Sequence, residues 1–80
     1  MNQASSKLVR FAQLIDSLMT TIEGDPFLSF EQKDKLCSFV AMINANVQYG
    51  VTKGIERRLC MARNTWLEYR AEGLRKEVVS

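Results

Sequence analysis

Between Lys53 and Asn64, four cations (Lys53, Arg57, Arg58 and Arg63) stand against one carboxylate, Glu56. Asn46, Tyr49 and Gly50 lead into this run. On a helix turning 100° per residue, Asn46, Gly50, Lys53, Arg57, Cys60 and Asn64 would fall within about 80° of one another, with Tyr49 beside them. Val51, Ile55, Ala62 and Tyr69 would lie on the far side. A wet face of this kind suits a phosphate backbone. Lysine and arginine bring charge, and asparagine and tyrosine offer neutral hydrogen bonds to phosphate and sugar oxygens. Gly50, with no side chain, would let a nucleic-acid strand come close to the helix backbone. The competing explanation is a solvated face with ordinary i,i+4 ion pairs, of which Glu72 with Lys76 is an example in this chain.

Other chemistry is poorly supplied. The chain has no histidine, no glycine-rich phosphate loop and no cluster of metal-ligating residues. Its carboxylates are scattered or matched by cations, so neither catalysis nor a metal or cofactor is expected. Cys37 and Cys60 have no zinc spacing and make no disulfide framework. Both fall in helix-like apolar patterns, where a free thiol acts as a small hydrophobe, as suits a reducing compartment.

The elements that must position the basic run can be read from apolar spacing. Ser5 or Ser6 is a suitable N-cap for a first helix over about 6–23. Its stripe is Leu8, Phe11, Ile15, Leu18 and Ile22, widened by Val9, Ala12, Leu14 and Met19. Gly24 and Pro26 end it and open a turn over 24–29. Phe27 and Leu28 are expected to plug the turn, and Ser29 with Gln32 fits a capping box for the next helix. From Leu36 an apolar line runs through Val40, Ile43, Val47, Val51, Ile55, Leu59, Ala62, Trp66 and Tyr69 with an average step close to 3.6. The phase continues across Gly50 and Gly54. This predicts one long helix over about 30–71, followed by a tail over 72–80 that ends the helix near Gly73. Against it, each interior glycine costs about 1 kcal/mol relative to alanine, and Thr52 could cap a third helix.

The 80 residues make one domain, 1–80, of all-α class. A chain this short buries only roughly 60–65% of its unfolded surface, and a second copy is a common remedy. A hairpin whose long second helix carries Val47, Val51, Ile55, Leu59, Ala62, Trp66 and Tyr69 would dimerise into an antiparallel four-helix bundle. A break near Gly50 would instead favour a three-helix monomer. Arg58, nearer the apolar side, is expected to pair across an interface, and Met42 and Met61 to fill gaps. Net charge is −1 over 1–28, zero over 29–50 and +3 over 51–80. No apolar run approaches the roughly 18–20 residues that span a membrane, and the N-terminus does not read as a signal peptide. A cytoplasmic location is expected.

In layout, and in "SKL" at Ser6–Leu8 and "VTK" at Val51–Lys53, the chain resembles the small RNA-silencing suppressors of nodaviruses. The resemblance implies an antiparallel dimeric bundle that lies along double-stranded RNA and shields it from the host's silencing nuclease, itself a further candidate partner. Lys53 would then be the principal phosphate contact, with Asn46 and Arg57 near it. Asn46 stands where a lysine is more usual. A-form RNA hides its base edges, so a rigid helical face would read shape, phosphates and 2′-hydroxyls. The alternative is a small helical protein–protein interaction module or a phage or plasmid regulator. A helix-turn-helix DNA reader is less favoured, because no short, separately capped recognition helix is apparent.

Overall fold

The computed structural model describes residues 3–79 and the side chains of 6–77. The described residues form three helices and no strand: α1 (Gln3–Glu23), α2 (Phe30–Gln48) and α3 (Ile55–Val79). The all-α class and the helical hairpin are therefore present. The single helix expected over 30–71 is not, because the chain breaks between Gln48 and Ile55.

Backbone chemistry explains the break. Tyr49 is the C-cap of α2, and Gly50 follows in the left-handed region at φ 79°. The Gly50 N–H donates to the Val47 carbonyl at 3.0 Å, and the Val51 N–H donates to the Asn46 carbonyl at 2.9 Å. That pair of bonds is a Schellman ending, which side-chain-bearing residues adopt at a cost and glycine adopts freely. Gly54 takes the same left-handed conformation at φ 78°, and its carbonyl receives the Arg58 N–H as α3 begins. Two left-handed residues within one connection reverse the chain.

The first turn is built differently. The Gly24 N–H returns to the Thr20 carbonyl, and Lys33 Nζ donates to the Glu23 carbonyl at 3.0 Å, covering the open end of α1. Ser29 and Gln32 form the expected capping box of α2. Ser5 and Ser6 do not cap α1, which is already helical from Gln3. At the far end α3 continues through Gly73 to Val79, so the expected tail is helical.

The helices run up, down and up. α3 packs chiefly on α2 and touches α1 little. The core is a line of Phe11, Ile15, Ile22, Leu28, Leu36, Val40, Ile43, Val47, Ile55 and Ala62. Leu59, Trp66 and Tyr69 pack against it half-buried, whereas Val51 is exposed in the connection. Val9, Ala12 and Leu14 are exposed, so α1 uses only the inner strip of its broad apolar face. The body measures 53 × 19 × 16 Å with a radius of gyration of 14.3 Å. A spherical chain of this size would have roughly 12 Å. The molecule is a rod.

Candidate nucleic-acid interface

The residues expected to line one helical stripe are distributed over a corner. Asn46 is half-buried on the last turn of α2, with its carbonyl engaged by Val51. Tyr49 is 87% exposed at the helix end. Gly50 and Lys53 lie in the α2–α3 connection, where a Cβ added at Gly50 would meet no atom within 4 Å. Gly50 is thus required by the turn, and a close approach by a strand is not needed to explain it. Arg57 is exposed on the first turn of α3. Asn64 is exposed seven residues later, about 10 Å along the axis. Asn46, Tyr49, Gly50, Lys53 and Arg57 share the corner, and Asn64 lies outside it. Arg58 is exposed rather than placed on the apolar side.

Folding produces a charge pattern that the linear sequence does not display. Up-down-up topology brings the first half of α1 beside the α2–α3 corner and the first half of α3. That half of the rod carries Lys7, Arg10, Lys53, Arg57, Arg58 and Arg63 against Glu56 alone, a side-chain net of +5. The other half holds the remaining five cations and eight carboxylates, a net of −3. All six cations of the basic half are exposed, and none forms an ion pair among the described residues. Segregated charge of this size raises the local concentration of polyanions and steers their approach.

The acidic half is tied together by a group that spacing did not single out. Asp25, 3% exposed, accepts the Phe27 N–H at 2.9 Å on Oδ1. Its Oδ2 receives Trp66 Nε1–H at 2.8 Å and Arg70 Nη1–H at 3.0 Å. The Arg70 guanidinium also lies 4.9 Å over the Phe27 ring. Burial raises the Asp25 pKa, but the Phe27, Arg70 and Trp66 hydrogen bonds together outweigh it and hold the carboxyl below its ordinary 3.8. Beside this network Gly73 packs on the turn so closely that an added Cβ would lie 2.0 Å from the Phe27 carbonyl oxygen. Burial, helped by Glu23 and Asp34 and opposed by Lys33, raises the Cys37 thiol, while Cys60 is exposed on α3. Both cysteines are free.

No described helix is long and apolar enough to cross a membrane. Set against protein-family models, curated proteins and solved structures, the chain matches none of them.

Proposed function

We propose that the protein binds double-stranded RNA through the basic half of the rod, by phosphate and shape contacts without base readout. One observation carries this reading: six exposed cations with no ion pair among the described residues, opposed by one carboxylate, in half of a molecule whose other half is net negative. Tyr49 and the amide of Asn46 add neutral donors at the same corner. Duplex RNA is preferred to DNA on the strength of the resemblance to the nodavirus suppressors, now limited to the hairpin, since the long second helix of that layout is interrupted. In this reading the protein is a cytoplasmic viral suppressor that shields duplex RNA from nuclease processing. A homodimer would double the basic surface. The exposed residues Lys53 and Arg57 are the leading phosphate contacts, with Tyr49, Asn46 and Gly50 at their corner and Asn64 peripheral.

The test is a gel-shift titration of one sequence of about 25 base pairs, long enough for successive grooves, as duplex RNA, duplex DNA and single-stranded RNA. Lys53→Ala and Arg57→Ala are compared with Lys35→Ala and Lys76→Ala from the other half. Binding to duplex RNA that weakens only with the first pair is expected. Absence of duplex-RNA binding at low salt, or equal losses in both pairs, would overturn the reading.

A second reading, a helical protein-interaction module, is favoured by an open apolar groove between α1 and α3.

A further inference from the structure

α1 and α3 both rest on α2 and barely meet, leaving a groove between them of about 680 Å³. It extends along α1 from Lys7 to Thr21 and along α3 from Glu56 to Trp66. The α1 stretch corresponds to roughly 21 Å, or four helical turns. Phe11, Leu14, Leu18, Leu59 and Trp66 give it an apolar lining. Leu14, 48% exposed, is part of the broad face of α1 that the fold leaves uncovered. The charged lining residues are Lys7, Arg10 and Arg63 against Glu56.

We infer that this groove receives an acidic amphipathic helix of a protein partner, which lies between α1 and α3 as a fourth helix. The inference rests on the interaction-module reading, and it draws on Lys7, Arg10 and Arg63, three of the six cations of the basic half. A trough of four turns between two helices accepts a ridge of apolar side chains repeating at i, i+3, i+4 and i+7. Its ionic complement decides which ridge. Three cations against one carboxylate attract flanking Asp and Glu and repel flanking Lys and Arg. The same charges disfavour a second copy closing the groove, since each copy would bring three cations against one carboxylate, a net of +2, to the same seam. A nucleic-acid backbone offers phosphates but no apolar ridge for Phe11, Leu18 and Trp66. Lys53, Arg57 and Arg58 lie outside the groove lining, so the corner remains distinct from the groove although Arg57 and Asn64 stand within roughly 60° of the lining residue Cys60 around α3.

The groove contains its own reporters. Trp66 is the chain's one tryptophan, and Cys60, exposed and free, is among the lining residues. The probe is a pair of helical peptides of about 18 residues with the same leucine ridge, flanked in one case by glutamates and in the other by lysines. Binding is followed by Trp66 emission and by the rate of Cys60 alkylation, resolved from Cys37 by mass spectrometry. The glutamate peptide is expected to bind at micromolar concentration, shift Trp66 emission to the blue and slow Cys60 alkylation about fivefold or more. The lysine peptide should bind at least about tenfold more weakly. Arg63→Glu should narrow or invert that preference. Leu14→Gln, at an exposed position where the fold should be retained by circular dichroism, should weaken peptide binding about tenfold while leaving the duplex-RNA gel shift unchanged. Equal binding of the two peptides, or none, would overturn the inference. So would Cys60 protection that rises with the concentration of the chain alone, which would assign the groove to a second copy.

Discussion

The two connections of this molecule reverse the chain by opposite means. At the α1–α2 turn, side chains from distant sequence converge on one buried carboxylate, and α3 is pressed against the turn backbone at Gly73. At the α2–α3 corner the reversal rests on main-chain hydrogen bonds and two left-handed glycines, and Tyr49, Val51 and Lys53 are exposed to solvent. The first connection spends its polar groups on holding the fold. The second leaves its cations without ion-pair partners among the described residues. A rod tied at one end can present charge at the other without compromising its core, which is why we propose binding at the corner and stability at the turn.

Substitutions should separate the two regions, beginning at the turn. Gly73→Ala is expected to be the most damaging single change. Its methyl would collide with backbone that cannot move as a flexible side chain can, at a cost of about 3 kcal/mol despite alanine's better helix propensity. Urea unfolding of purified variants measures it, and a stabilised variant would show that the close packing of α3 on Phe27 is wrong.

Next is Asp25→Ala, which strands the Trp66 indole and the Phe27 amide. Arg70 is partly exposed, with 38% of its side chain accessible, and can return to water. The loss should therefore stay near the lower end of buried-pair removal, about 2–3 kcal/mol. Acidity offers an independent view of the same group. The folded pKa lies below the ordinary 3.8, so ionised Asp25 stabilises the fold above that value. This contribution is lost as pH falls through the lower, folded pKa. The advantage of wild type over Asp25→Asn in thermal melts should accordingly be full at neutral pH and shrink in acid. A difference constant down to pH ~2 would contradict the network.

Corner substitutions should be milder for folding. Gly50→Ala and Gly54→Ala each meet open space and suffer only the left-handed backbone, about 1 kcal/mol. Smallest of all, Lys53→Ala and Arg57→Ala should change stability by no more than about 0.5 kcal/mol while weakening duplex-RNA binding. If the corner variants unfolded the protein as readily as Asp25→Ala, the division between a holding end and a binding end would fail.

Local features were the legible part. The α1 stripe, the stop at Gly24 and Pro26 and the Ser29–Gln32 capping box depend on neighbours within one or two turns, and each is found in the fold. The break after Gln48 was obscured because Val47, Val51 and Ile55 keep helical spacing through a connection that is not helical. The cost of the two glycines was the better guide. Gly73 looked like a stop, yet a mid-helix glycine can also mark close packing, and only the folded position of Phe27 distinguishes the two. Asp25 was hidden for a related reason: Trp66 and Arg70 lie 41 and 45 positions away, beyond any local pattern. For the site, sequence showed the cations from Lys53 to Arg63 but not that Lys7 and Arg10 fold to the same half. A stripe on one helix becomes a basic corner because the chain reverses.

The most direct measurement is the salt dependence of duplex-RNA affinity for wild type, Lys53→Ala/Arg57→Ala and the opposite-end control Lys35→Ala/Lys76→Ala. With four to six phosphates neutralised, log K should fall with log salt at a slope of roughly −4 to −5. The corner double variant should flatten that slope by about two, one for each cation removed, and the control should leave it unchanged. A wild-type slope near zero, or an equal flattening in the control, would contradict a phosphate-binding basic half.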